Sequence, residues 1–508
     1  MAKLFRNYNT LVEYEADTNK PVNTVCFIKD AKVIYVDGIQ YSYKQLDYLP
    51  PAISEAEALE YMGKIIKNAQ EVGLIYVKPG KPVPAIYWTG DSNTIDISGS
   101  TYTAEPVKIN IDGVEYYQLK LDKDLDDNFY RFNENNFTNL TFNDVNTSKI
   151  TSMEQMFDGC AKLVSLDVSN FDTSKVTSMM KMFNGCNALT SLNVSNFDTS
   201  KVTDMKAMFQ NCNTITSLDL SRFDTSNVTN MGWMFYRCNS LTSLDVSKFD
   251  TRNVINIRSM FTSCKKLTAL DVSNFDTSNV IDMEYMFNNC NSLTSLDVSN
   301  FDTRNVTNMM RMFTACYAIK SLDVSRWDTS NVTNMRSMFN GCRTITSLDV
   351  SNFNTSKVID MNRMFCDCNA LTSLDVSNFN TSKVTNMEGM FAYCYKLISL
   401  NLSNFNTSNV TNMGGMFGYC DKIISLDVSG FNINNVNDMH QMFYNCNVLA
   451  SLDLSGWDTS NVTNMDSIFS GCNSLKTIRM VGCSQTTIDK IKAQLTTDGI
   501  NGCTIVTE

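Results

Sequence analysis

Between about residue 140 and residue 478 the apolar positions recur in one fixed order, in steps of 26 residues. In the copy beginning at Ser178 they are Met179, Met182, Phe183, Cys186, Leu189, Leu192, Val194, Phe197 and Val202, with polar residues between them. Thirteen phenylalanines, Phe157 to Phe469, fill one column of this register and thirteen cysteines, Cys160 to Cys472, fill another. A period of this length without slippage predicts a solenoid in which each side chain stacks on its own copies.

The spacing inside each copy predicts the elements. Met179, Met182, Phe183 and Cys186 fall at i, i+3, i+4 and i+7, one apolar face of about two helical turns. Ser, Asp or Asn stands before the first of them (Ser152, Ser178, Asp204, Asn230), the chemistry of a helix N-cap. Leu192-Asn193-Val194 alternates like a short strand, and Asp198-Thr199-Ser200-Lys201 is a run of turn formers. The expected fold is therefore an α/β solenoid of strand, turn and short-helix coils. One coil alone cannot bury enough surface to offset its ordering entropy, so stacking and strand-to-strand pairing must hold the array, on the order of 60 Å long at about 4.8 Å per coil.

The pattern changes at both ends. All seven prolines lie in the first 106 residues and none in the array. Residues 1–50 read as a β-hairpin attachment segment, with Asp37-Gly38 as its turn. Residues 51–135 read as a small α+β domain: Ser54-x-x-Glu57 is a capping box for a helix to about Gln70, Pro79 to Pro84 a stiff linker, and 107–111 and 114–121 strands hinged at Asp112-Gly113. The solenoid occupies 136–480, with a degenerate first coil in which Phe137, Leu140, Phe142 and Val145 keep the register of Leu163, Leu166, Val168 and Phe171. Residues 481–508 read as a βαβ cap, its helix carrying Ile488, Ile491 and Leu495 on one face.

A net charge of −11 argues against nucleic acid or an anionic membrane as partner. No stretch reads as a membrane span or secretory leader, so membrane insertion is not expected and synthesis in a cytosol is. Of the 17 cysteines, thirteen belong to the repeat column beside Phe and Leu, which predicts buried free thiols rather than disulfides. Zinc is disfavoured, because the nearest cysteine pair is Cys366-Asp367-Cys368 and the only histidine is His440.

Two carboxylate columns are candidates for chemistry. Asp167, Asp219, Asp245 and their copies are interrupted by Asn193 and Asn401; either calcium or hydrogen bonds from neighbouring Ser would offset their repulsion. The second column, Asp172, Asp198 and so on, switches to Asn354, Asn380, Asn406 and Asn432 before Ser or Asn two residues on, as an Asx-turn allows. No catalytic residue and no resident cofactor is expected, since equivalent carboxylates offer one environment where acid–base chemistry needs two. Recognition should use the positions where copies disagree. There the chain places Trp233, Tyr236, Arg237, Tyr285, Tyr317, Tyr393, Tyr395, Tyr419 and Tyr444, residue types favoured as anchors, as a candidate ligand-binding ridge. The Asn-Val-Thr triplets at Asn227, Asn305, Asn331, Asn409 and Asn461 read as turn sequence, and the 24 methionines of the two Met columns as core.

At Phe183, Cys186, Leu189, Leu192 and Val194 the repeat resembles the BspA-like leucine-rich repeats of bacterial surface proteins, which implies a leucine-rich-repeat-like array and adhesion. Residues 23–41, from Asn23-Thr24-Val25-Cys26-Phe27-Ile28 through Tyr35-Val36-Asp37-Gly38-Ile39-Gln40-Tyr41, resemble the leading segment of tail and fibre proteins of bacteriophages that infect Bacteroidetes. Together the resemblances imply a non-enzymatic virion tail- or head-fibre protein, a structural and receptor-binding component. It would dock to other virion proteins through its N-terminal region and bind a host cell-surface glycan or protein. A bacterial cell-surface adhesin is the alternative, a glycan-active enzyme a distant third, and a homo-oligomer is open.

Overall fold

The structure is a computed structural model describing residues 84–508, apart from 107, 112, 113, 129, 133 and 134, and, before residue 84, the backbone of four strands. In chain order the strands are β1 (Leu4–Tyr8), β2 (Thr24–Ile28), β3 (Val33–Val36), β4 (Ile39–Ser42), β5 (Ala85–Gly90), β6 (Thr94–Ile97), β7 (Ser100–Thr103), β8 (Ile109–Ile111), β9 (Val114–Lys120), β10 (Phe137–Asn143), β11 (Ser165–Asp167), β12 (Ser425–Asp427), β13 (Ser451–Asp453), β14 (Thr477–Arg479) and β15 (Thr504–Val506). One helix, α1 (Gln485–Thr497), is described. The Ser54 capping box with its helix and residues 79–83 of the linker lie outside the described residues.

The chain divides into two units, residues 1–83 with 104–120, and residues 84–103 with 121–508. In the first, β1 runs parallel to β2, and β2, β3 and β4 form an antiparallel meander. Val36 stands opposite Ile39 and, in the β8–β9 hairpin, Ile111 opposite Val114, so the two expected hairpins are present although their Asp-Gly turns lie outside the described residues.

The second unit is the solenoid. It starts where β10 pairs antiparallel with β5 and parallel with β11, Leu140 lying opposite Leu166 as the register requires. Phe132 heads the phenylalanine column, stacking on Phe157 at 5.8 Å. From Phe157 to Phe339 successive rings are 5.7 Å apart and within 9° of parallel. Buried methionines and buried, free cysteines run beside them. Trp327 and Trp457 replace Phe in the second aromatic column and donate their indole N–H to the carbonyls of Val298 and Val428.

The stacked, leucine-rich-repeat-like solenoid stands, but two expected details of the coil are corrected. First, no copy of the Met-x-x-Met-Phe segment is a helix; each is a chain of turns. The N–H groups of Met153, Gln155, Phe157 and Gly159 donate to carbonyls of the next coil at 2.8–2.9 Å, while Met156, Asp158 and Cys160 close turns within their own coil at 3.2–3.3 Å. Alternation is enforced by the residues two and six past the first Met, which have positive φ: Lys181 (55°) and Gly185 (76°), Trp233 and Arg237 (both 59°). An α-helix needs negative φ throughout and returns every N–H to its own segment. The Ser, Asp or Asn before the first Met accepts from the N–H two residues on, as Asp204 does from Lys206 at 2.7 Å, so it makes an Asx-type turn in place of a helix cap.

Second, the Leu-x-Val segments form regular strand ladders only at the two ends of the array, β10–β11 and β12–β13–β14. Between them cross-coil bonds on that side are sparse and reach 3.4 Å, as from Lys320 N–H to the Thr294 carbonyl. The unbroken series of parallel bridges instead joins the turn-side column from Ser152–Ser178 to Asp438–Asn464. Bonds there are more regular, as from Arg237 N–H to the Thr262 carbonyl at 2.7 Å, so the turn side carries most of the main-chain bonding between coils.

At the far end β14, α1 and β15 make the βαβ cap, with β15 parallel to β14. Ser484 caps α1, accepting from Thr487 N–H, and Ile488, Ile491 and Leu495 are buried against the last coil. Among the described residues no helix is long and apolar enough to cross a membrane.

Candidate recognition surface

Two columns with the look of chemistry are framework. Oδ1 of Asp245 accepts from Ser247 N–H at 3.0 Å and from its hydroxyl at 2.6 Å, and the same pair recurs at Asp271, Asp297 and Asp349. The hydroxyl and N–H of Ser247 hold the Asp245 carboxyl below its usual range. Asn193 and Asn401 accept the same two bonds, which is why an amide is tolerated. The second column behaves alike, Asp198 accepting from Ser200 and Asn380 from Ser382. Among the described residues no group of three His, Cys, Asp or Glu could hold a metal ion. The Asn-Val-Thr asparagines are likewise committed: Asn227 and Asn305 each donate their side-chain amide to the Ser carbonyl 27 residues back, at 2.8 and 2.7 Å.

The remaining freedom lies on the turn side, at the first, second, fifth, sixth and eighth residues past the first Met. All nine ridge residues are half-buried or exposed, although Ser259, Glu284, Ser337 and Asn362 at equivalent positions are buried, and five of the nine, Trp233, Arg237, Tyr285, Tyr393 and Tyr419, stand at positive φ. Along the ridge the nine fall into three groups, of which only the third is a cluster of ridge residues in mutual contact, the Arg237–Tyr236 pair apart.

In the first, Trp233 lies between two cations, Lys206 Nζ 5.2 Å and Arg258 5.5 Å from its ring, while Arg237 covers Tyr236 at 5.3 Å. Arg258 also pairs with Glu284 at 3.0 Å, yet burial raises the Glu284 carboxyl. The second group is two aromatic–arginine pairs: Arg311 over Tyr285 at 5.5 Å, and Arg343 over Tyr317 at 4.3 Å with its Nε on Asp367 at 2.8 Å.

The third group is a tyrosine cluster. Tyr393 stacks on Tyr419 at 4.6 Å, Tyr395 meets both edge-on, and Tyr444 closes on Tyr419 at 5.2 Å. Burial, with the charge of Asp367, pushes the Tyr395 phenol up. Tyr393, Tyr419 and Tyr444, but not Tyr395, border a groove of about 190 Å³ whose floor is Gly389, Gly414, Gly415 and Gly418. The ridge as read from large aromatics missed this groove, since what makes it is absence: one copy carries Gly at the first, second and fifth residues past its first Met together. His440 and Arg363, which flank the groove, were also missed, although His440 is the chain's single histidine.

The plant peptide hormone receptor RGFR1 in complex with RGF2 is 11% identical at TM-score 0.23, over 64% of this chain and 52% of that one, so this chain spans about half the receptor's length. The functional domain of InlJ from Listeria monocytogenes, which includes a cysteine ladder, is 17% identical at TM-score 0.27, over 66% and 64%. A Leptospira interrogans LRR protein is 11% identical at TM-score 0.20, over 68% and 90%. No curated protein matches. A family model matches in five overlapping stretches, residues 123–243, 210–322, 290–394, 315–423 and 369–480. By that match, which takes in the whole coil array, the chain belongs to the family described as "Mycoplasma protein of unknown function, DUF285".

Proposed function

We propose that this chain is a non-enzymatic adhesion protein whose turn-side ridge binds a host cell-surface glycan or protein. The observation that carries the reading is the division of labour within each coil. Met, Phe, Cys, Thr and Asx columns repeat and are consumed by packing or hydrogen bonds, while the outward positions differ from coil to coil and hold Trp, Tyr and Arg. These are the side chains that dominate binding energy at interfaces.

Within this reading the chain is a virion fibre component, attached to other virion proteins by residues 1–50; the resemblance of residues 23–41 supports that setting. A bacterial cell-surface adhesin is the second reading, favoured by the BspA-like character of the coil. Purified full-length chain should bind intact host cells saturably, and replacing Trp233 and Arg237, Tyr285 and Tyr317, or Tyr393 and Tyr419 by Ala should weaken binding for at least one group. Undiminished binding in all three variants would overturn the ridge. Antibody against residues 1–50 separates the settings, by labelling phage particles or the bacterial surface.

A further inference from the structure

The glycine-floored groove between the coils of Met387 and Met439 is unlike any other place on the ridge. In the other coils the second variable position carries a side chain, such as Trp233, Tyr285 or Arg311; at Gly389 and Gly415 it carries none, and a Cβ built at Gly415 meets nothing within 4 Å. Two polar side chains reach across the neighbouring glycines. A Cβ at Gly414 would collide with Cε1 of His440, and one at Gly389 would lie 3.2 Å from Cγ of Arg363, so each glycine makes room for a specific arm. Both arms are anchored, His440 Nδ1 to Asp438 at 2.7 Å and Arg363 to Glu388 at 3.1 Å. Tyr393, 40% exposed and stacked on Tyr419, stands at the rim.

We propose that this groove is a saccharide subsite that takes one neutral pyranose ring at the end of a glycan; the proposal rests on the recognition reading above. Three features select that ligand class. The volume of about 190 Å³ admits a single ring and falls below the pockets of about 300–1,000 Å³ that enclose larger ligands. The floor offers no backbone donors to an extended peptide: Gly389 N–H is spent on the Gly414 carbonyl, Gly415 N–H on His440, Gly418 N–H on Gly415 and Gly414 N–H on Asn412 Oδ1. Recognition must therefore come from side chains, with tyrosine surface for the C–H face of a sugar and guanidinium, carboxylate, imidazole and amide groups for its hydroxyls. Because Arg363 is paired with Glu388 and His440 lies against Asp438, the groove offers no unpaired cation to an anionic sugar or phosphate.

The test fills the groove with a side chain the framework accepts elsewhere. Gly415→Tyr places at φ 60° the residue that Tyr285 is at φ 59° in an equivalent position, and Gly415→Ser mimics Ser259. Full-length chain is applied to arrays of neutral hexose- and N-acetylhexosamine-terminated glycans, sialylated glycans and peptides, with thermal unfolding as the folding control. Wild type should bind neutral termini, Gly415→Tyr should lose about tenfold or more in affinity with an unchanged unfolding profile, and Gln155→Tyr, at φ 59° in a coil that carries none of the nine ridge residues, should bind as wild type. Tyr393→Ala provides a second loss that adds no bulk. Absence of neutral-glycan binding, binding confined to sialylated glycans or peptides, or equal binding by Gly415→Tyr and Tyr393→Ala overturns the subsite. Host-cell binding that survives Gly415→Tyr but falls with Trp233→Ala overturns the subsite and leaves the ridge standing; survival through every ridge variant overturns both.

Discussion

The thiol of Cys238 donates to the main-chain carbonyl of Phe209, one coil back, at 3.1 Å, and the same bond recurs along the column from Cys160 on Phe132 to Cys472 on Phe443. The column thus works as buried donors satisfying a buried acceptor in every coil, not as a reserve of disulfides. Burial pushes the Cys238 and Cys290 thiols up to about 12.

The thiols make stability fall at alkaline pH. A thiol raised in the folded state holds its proton where the unfolded chain, with an ordinary thiol near 8.5, has lost it. The stabilisation is complete below about pH 8.5 and declines as pH rises toward the folded value, by about 1.4 kcal/mol per pH unit for each such thiol. Urea midpoints between pH 7 and 10.5 should fall with increasing steepness, and maleimide labelling at pH 7.5 should spare the column until the chain is unfolded. Stoichiometric labelling of native protein at Cys238 would contradict the geometry.

A second prediction concerns the threonine column. Thr225, 1% exposed, accepts from Asp250 N–H at 2.8 Å and donates to the Asp250 carbonyl at 3.0 Å. Thr225→Val keeps the shape and removes both bonds, stranding a poorly solvated N–H at a cost of about 1–3 kcal/mol. Coils contact only their neighbours, so amide exchange should quicken first in the coils around residues 199–276 and least at the cap.

The positive-φ positions give opposite signs for two glycine swaps. Lys181, at φ 55°, bears a left-handed penalty of about 1–2 kcal/mol that exceeds the entropic cost of glycine, about 0.5–1 kcal/mol. Lys181→Gly should therefore stabilise slightly, whereas Gly341→Ala, at φ 80° with its new Cβ 3.3 Å from the Ala315 backbone, should destabilise by about 1 kcal/mol or more. Helical backbone at these positions would reverse the first sign.

At Asp245 the Ser247 bonds hold the carboxyl low, so its contribution is present above the unfolded value near 3.9 and is lost as pH falls through the folded one. Asp245→Asn, like natural Asn193, should match wild type at pH 7 and lack that acid loss, while Asp245→Ala should lose up to about 1 kcal/mol at pH 7 and less relative to wild type in acid, where the carboxylate contribution is already fading. Thermal melts at pH 7 and pH 3, with and without a calcium chelator, separate this from a metal-linked ladder, in which the chelator alone would lower the melting temperature.

Much of this was legible because repetition amplifies weak signals. One Phe-x-x-Cys says little, but thirteen copies in register place the core and the stacking direction, while the cap helix was legible from the one-face spacing of Ile488, Ile491 and Leu495. The turn chain was misread because Met179, Met182, Phe183 and Cys186 point inward equally well in a helix and in a backbone that alternates between its own coil and the next; only the dihedrals at Lys181 and Gly185 distinguish them. The groove was missed for a different reason. Trp and Tyr announce a surface by their presence, whereas Gly414, Gly415 and Gly418 make one by what they leave out.

Because the N–H groups of Met153, Gln155, Phe157 and Gly159 bond forward in the same way as their counterparts in later coils, the joints along the array are interchangeable. Excising residues 257–282 would bring the coil of Met231 against that of Met283 with no new kind of contact. Unequal crossing-over among such near-identical stretches of gene can lengthen or shorten the molecule by whole coils, tuning its reach without redesigning either terminus.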